Sequence, residues 1–157
     1  AKSQTSDVRL LWYGICDTRY GVCWSAVLLW TALMPWKGVF RQLIIIAYTL
    51  HFYAASHKQF LRDKAKVALD KGIALFVSEF GTCEYTGDGI IDHEELNKWM
   101  DLMDEHKISW CNWSVADKNE TSAALKKGAS ATGNWKESDL SESGRLIRAK
   151  IRSYAGK

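Results

Sequence analysis

The sequence predicts an α/β chain built from consecutive βα units. Three observations carry this. The stretch Ile73-Ala74-Leu75-Phe76-Val77-Ser78-Glu79-Phe80-Gly81-Thr82 opens with five apolar residues and no alternation. That is the pattern of a strand covered on both faces, as in parallel sheets. From residue 43 onward, strand-like and helix-like segments alternate strictly. The strand starts, near 43, 73 and 108, are spaced by about 30 residues, the length of a βα unit. This spacing fits an α/β barrel or a doubly wound sheet. No G-x-G-x-x-G follows a strand, so a dinucleotide fold has no positive support.

The elements follow from local patterns. Residues 43–53 are rich in β-branched and aromatic side chains and predict the first strand. Residues 54–71 predict a helix with Leu61, Ala65, Ala68 and Leu69 on one face and Gly72 as its stop. The strand ending at Glu79 comes next, then a Gly/Thr-rich loop to Asp92. A second helix, 93–106, carries Leu96, Trp99, Met100 and Met103 on one side. A short strand, 108–113, a polar loop, 114–136, and a final helix, 139–154, complete the order. Leu140, Ile147, Ile151 and Tyr154 would share a face of that last helix.

The 157 residues suffice for one domain with a core, and 47% apolar with 25% charged residues is a globular composition. The net charge of +3 is spread along the chain, so no nucleic-acid footprint is expected. No zinc spacing exists among Cys16, Cys23, Cys83 and Cys111. Cys83 and Cys111 lie near strand ends, where a disulfide is permitted but not implied. Residues 1–45 form an atypical Trp- and Cys-rich N-terminal segment, distinct from 46–157. Its uncharged stretch 20–36 sits at the short limit for a membrane span. Its poor helical period and Pro35 favour a buried helix or strand pair, so no membrane partner is expected. No signal peptide is visible at Ala1.

Chemistry is expected where strands end. His51 and Tyr53 are two apart and share a face of the first strand. Glu79 stands where the buried strand stops, either as a functional carboxylate or as a strand-end partner of a Lys or Arg. Trp113 follows the third strand, with Asp117, Lys118 and Glu120 beyond it. Polar groups at the same end of three successive strands predict a pocket there. A competing motif runs from Glu84 to Glu95 and overlays a calcium loop, with Gly89 sixth and Glu95 twelfth. Its first position is Glu84 rather than Asp, its third is Thr86, and a strand precedes it. A tight turn at Thr86-Gly87-Asp88-Gly89 is the favoured reading, and no metal site or cofactor is expected.

From Ile46 onward the chain resembles the C-terminal half of a bacterial endo-β-1,4-glucanase of glycoside hydrolase family 5, the cellulase family with a (β/α)8 barrel. Leu50-His51-Phe52-Tyr53-Ala54 is similar to the family's sixth-strand motif. Val77-Ser78-Glu79-Phe80-Gly81-Thr82 is similar to the seventh. Trp110-Cys111-Asn112-Trp113-Ser114, with Asp117-Lys118-Asn119-Glu120, is similar to the eighth strand and its loop. The resemblance implies a half TIM barrel, roughly strands five or six to eight. It implies Glu79 as nucleophile, Tyr53 as its hydrogen-bond partner and His51 as a contact to the reacting sugar or the acid. Trp113 would stack beneath a sugar, while Lys118, Glu120 and His57 would bind substrate.

A retaining glycosidase needs two carboxyl groups about 5–5.5 Å apart, and the family's second one sits in an Asn-Glu-Pro motif. No Asn-Glu-Pro occurs here. The resemblance therefore implies a secreted cellulase-like hydrolase of β-1,4-glucan whose acid/base is absent from the chain. The alternative is a non-catalytic glucan-binding module. A half-barrel leaves strand edges open, which implies a homo-oligomer through those edges, with glucan as the other partner.

Overall fold

A computed structural model describes the backbone of residues 27–36 and 39–155 and the side chains of 46–155. Among the described residues, four strands form one sheet in the order β1 (Val27–Trp36), β2 (Val39–Tyr53), β3 (Ala74–Gly81) and β4 (Trp110–Asn112). The pairs β2–β3 and β3–β4 are parallel. Helix α1 (Gln59–Asp70) connects β2 to β3, and α2 (His93–Glu105) connects β3 to β4. Helix α3 (Glu142–Tyr154) follows β4 after a long loop and a 3-10 turn at Glu137–Asp139. The predicted βα order therefore holds.

The hairpin is an addition to that order. β1 pairs antiparallel with β2 from Val27↔Tyr48 to Trp36↔Val39. The uncharged N-terminal stretch is thus a strand over 27–36, while residues 20–26 lie outside the described residues. Among the described residues, no helix is long and apolar enough to cross a membrane.

Helix α1 begins at Gln59 rather than at 54. The backbone N–H groups of Ser56 and His57 both donate to the Tyr53 carbonyl, so 54–57 wrap into turns first. The helix ends as expected. Gly72 takes φ +73°, and Ile73 N–H returns to the Ala68 carbonyl at 3.1 Å, a left-handed stop that glycine adopts without a Cβ penalty. Helix α2 starts at Asp92, whose side chain accepts from Glu95 N–H. Helix α3 starts later than predicted because Ser141 caps it, accepting from Gly144 N–H. Leu140 precedes that helix and is buried, whereas Ile151 is 53% exposed rather than in the core.

The core lies between the sheet and the helices. Leu50 and Phe52 alternate on β2 and, with Ala54 just past its end, are buried with Leu61 and Ala65 of α1 and with Leu96, Trp99 and Met103 of α2. Phe52 is sandwiched between Phe80 (ring centroids 5.0 Å apart) and Trp99 (4.0 Å). Arg62 is buried among these groups. Its Nη1 donates to Glu95 Oε2 at 2.7 Å, and its guanidinium lies 5.5 Å over the Trp99 ring.

The alternation on β3 breaks at one place. Leu75 and Val77 face the core, and so does Phe80, three residues after Val77. Between Thr49↔Phe76 and His51↔Glu79, β3 advances three residues while β2 advances two. Between Val77↔Trp110 and Phe80↔Asn112, β3 again advances three against two on β4. Ser78 is the residue common to both irregular intervals. It is therefore the extra residue of a β-bulge, a feature found preferentially beside active sites, where it re-aims a side chain.

Candidate active site

The bulge decides what faces the cleft. Under strict alternation after Leu75 and Val77, Glu79 would join the core face and Phe80 would leave it. With Ser78 as the extra residue, Phe80 stays in the core. Ser78 and Glu79 both reach toward His51, on the face opposite the helices. Tyr53 Oη donates to Glu79 Oε1 at 2.9 Å. His51 Nδ1 lies 4.0 Å from Glu79 Oε2, and His51 Nε2 lies 2.6 Å from Ser78 Oγ. The expected cluster of His51, Tyr53 and Glu79 is thus assembled at the C-terminal ends of β2 and β3. Among the described residues, the ion-pair partner of Glu79 is His51 rather than a Lys or Arg.

Burial pushes the Tyr53 phenol well above its usual range, and its hydrogen bond to Glu79 and that carboxylate's charge push it further. Tyr53 therefore stays protonated and acts as a donor at every ordinary pH. Gly81 pairs across from Tyr53, and the absence of a side chain there leaves room for the phenol ring.

The third strand end contributes a wall. Trp113 N–H donates to the Phe80 carbonyl at 2.8 Å, and Asn112 Nδ2 donates to the same oxygen at 3.0 Å. This ties β4 to the strand that carries Glu79. Trp113 is 42% exposed. Lys118 Nζ sits 5.9 Å over its ring and 3.9 Å from Glu120 Oε1. Glu120 accepts from Ser122 Oγ at 3.0 Å, and its charge is felt at Tyr53. The loop is clasped to its neighbour. Thr121 N–H donates to Asp88 Oδ1, Thr121 Oγ1 to the Gly89 carbonyl, and Ser122 N–H to the Gly87 carbonyl.

Other residues take less expected places. His57 Nδ1 accepts from the Tyr53 backbone N–H at 2.9 Å, and its carbonyl accepts from Trp99 Nε1 at 2.6 Å. It locks the turn at the base of Tyr53. Glu95, the last position of the competing calcium motif, is turned to Arg62 and Lys98. The motif's first half forms a turn in which Gly87 N–H donates to the Glu84 carbonyl. Cys83 is buried and Cys111 exposed, and both are free thiols. Burial pushes the Cys83 thiol up to about 11. Cys16 and Cys23 lie outside the described residues. The contact missed in the sequence is Ser78. Its signal was the spacing of core residues on β3, two and then three.

The comparisons with known proteins converge on one family. The model of the family described as Cellulase (glycosyl hydrolase family 5) matches residues 34–119. An endoglucanase of Clostridium saccharobutylicum is 51% identical over 106 residues, covering 68% of this chain and 24% of that protein. A solved structure from Cytophaga hutchinsonii is 50% identical with a TM-score of 0.70, over 76% of this chain and 39% of that one. A solved cellulase, Cel5C_n, is 59% identical with a TM-score of 0.62, over 67% and 32%. The chain thus spans about a quarter of the length of the curated relatives it matches. Its parallel strands and helices are part of a TIM barrel. With the strand-end cluster, the partial barrel and the sequence matches in agreement, this chain belongs to the cellulase family, glycosyl hydrolase family 5.

Proposed function

We propose that this chain is the nucleophile-bearing part of a retaining endoglucanase acting on β-1,4-glucan. One observation carries the reading: a carboxylate at a parallel-strand end, with one oxygen held by a permanently protonated phenol and the other facing an imidazole. The Tyr53 bond holds and aims the Oε1 of Glu79. A Glu79 oxygen forms a bond to the anomeric carbon as the bond from that carbon to the leaving oxygen breaks. The leaving oxygen takes a proton from the acid/base carboxyl. Water then attacks the anomeric carbon, gives its proton to that carboxylate, and releases Glu79. The acid/base is the glutamate of an Asn-Glu-Pro motif that this sequence does not contain. Trp113 stacks under a sugar ring, Lys118 and Glu120 bind hydroxyls, and His57 borders the same cleft. Secretion fits a polymeric substrate that cannot enter a cell.

An activated substrate removes the need for the acid. The chain incubated with 2,4-dinitrophenyl 2-deoxy-2-fluoro-β-cellobioside gains one fluorocellobiosyl group per chain in intact mass spectrometry. The variant Glu79→Gln gains none. Equal labelling of the two would refute the assignment. The exposure of Trp113 favours a second reading, glucan binding without cleavage. Under that reading neither chain is labelled, while both are retarded equally by soluble β-glucan in native electrophoresis.

Self-association belongs to the same reading, with residues 46–157 as the barrel unit. Among the described residues, β4 is an edge strand of the sheet. Beside it runs a groove of about 640 Å³ lined by Trp110, Val115, Leu125, Trp135, Ile147 and Ile151, among others. Edges of this kind invite pairing. Light scattering at micromolar concentration is expected to give a dimer, and Ile151→Asp to shift it toward monomer. A monodisperse wild-type monomer would contradict this.

A further inference from the structure

Ser78 takes no part in the chemistry described above, yet its hydroxyl makes one of the shortest contacts in the cleft. Two facts about its place are independent. It is the extra residue of the β3 bulge, which brings it and Glu79 onto the same neighbour. Its Oγ lies 2.6 Å from His51 Nε2, while His51 Nδ1 faces Glu79 Oε2 at 4.0 Å. A neutral imidazole carries its proton on one nitrogen only. With the proton on Nε2, the bare Nδ1 lone pair would point at a carboxylate, which is acceptor-only. With the proton on Nδ1, an N–H faces the carboxylate, and Nε2 is left as an acceptor that needs a donor. Ser78 Oγ–H is that donor.

We propose that Ser78 is a positioning residue that fixes His51 as the Nδ1–H tautomer and so presents an N–H toward the Oε2 of Glu79. The hydroxyl acts through His51 and touches no substrate. The two oxygens of Glu79 are then distinguished: Oε1 takes the Tyr53 proton donor directly, and Oε2 is steadied by the longer-range imidazole N–H. The bulge serves this arrangement, because a regular strand would turn either Ser78 or Glu79 away from His51. The link from this tautomer to chemistry rests on Glu79 being the nucleophile, as proposed above.

The tautomer is read without any turnover. In the ¹⁵N-labelled chain at about pH 8, above the usual imidazole pKa, long-range ¹H–¹⁵N correlation separates a protonated Nδ1 from a protonated Nε2. The His51 signals are assigned by their loss in His51→Gln. Wild type is expected to show Nδ1 protonated. Ser78→Ala is expected to shift His51 toward Nε2–H, and Ser78→Thr, which keeps the hydroxyl, to retain the wild-type pattern. An Nε2–H wild type, or an unchanged tautomer in Ser78→Ala, would overturn the proposal.

The second arm is the rate of fluorocellobiosyl labelling at Glu79. It should fall roughly tenfold or more in Ser78→Ala and return in Ser78→Thr. A shifted tautomer with an unchanged labelling rate would overturn the positioning role. If wild type itself is never labelled while its His51 is Nδ1–H, the tautomer assignment stands and the hydrolase reading fails.

Discussion

Gly81→Ala will pull Tyr53 off Glu79 and slow covalent labelling of Glu79 by roughly 100-fold, the cost of losing one well-placed donor. The reason is steric. A Cβ at residue 81 would fall on Cδ1 and Cε1 of the Tyr53 ring. Those atoms sit in the body of the ring, so no small torsion relieves the overlap. The backbone at 81 is not free to retreat either, because its carbonyl accepts from Ala54 N–H at 2.9 Å. The ring must move, and the hydrogen bond to Glu79 Oε1 goes with it. Overpacking of this kind costs about 1–3 kcal/mol in stability as well. Tyr53→Phe separates the two effects. It should lose labelling to a similar degree while keeping stability within about 1.5 kcal/mol of wild type, since only one hydrogen bond is removed. Wild-type labelling in both variants would show that the phenol does not hold the nucleophile.

Arg62→Ala is expected to cost about 3 kcal/mol in urea unfolding, the penalty for leaving a buried charge without its partner. Arg62 is 3% exposed, its bond to Glu95 is 2.7 Å, and its Nη2 also donates to Gln59 at 3.1 Å. Truncation strips one oxygen of Glu95 and opens space beside Trp99, the ring on which Phe52 stacks. Lys98 still reaches the other Glu95 oxygen at 3.0 Å, which keeps the loss from being larger.

A pH signature accompanies this variant. Arg62, with Lys98 behind it, holds the Glu95 carboxyl below its usual range, and Glu95 N–H with Lys58 does the same for Asp92. A carboxyl whose folded pKa is depressed contributes stability that is present above the unfolded value and lost as pH falls through the folded one. Wild-type stability should therefore decline from about pH 4 downward, and the decline should be shallower in Arg62→Ala. An unchanged acid slope would show that the pair does not carry it.

Much of the site was legible because it depends on short-range rules. The spacing of His51 and Tyr53 puts both on one strand face whatever lies next to them, and the unbroken run before Glu79 marks a doubly covered strand. The faces of α1 and α2 followed from helical period, since Leu61, Ala65, Leu96, Trp99 and Met103 all point to the core. What was not legible depends on partners distant in sequence. The bulge at Ser78 exists only relative to β2 and β4, so no local pattern names it, although the core spacing on β3 carries its trace. Arg62 reads as a solvated residue until its partner thirty-three positions away is brought beside it. The stretch that forms β1 read equally as a buried helix or part of a strand pair, because apolar runs without a clear period suit both, and only its pairing with β2 decides between them. The N-terminal turn of α1 was misplaced because the Tyr53 carbonyl, not a helix cap, collects the N–H groups of 56 and 57.

The central claim is that Glu79 is the group that attacks the sugar. Peptide-resolved mass spectrometry of the chain after treatment with the activated fluorocellobioside tests it most directly. The account predicts one labelled peptide, with the fluorocellobiosyl group on Glu79 between Ser78 and Phe80. A label on any other carboxylate, or none on a folded wild-type chain at saturating reagent, would contradict it.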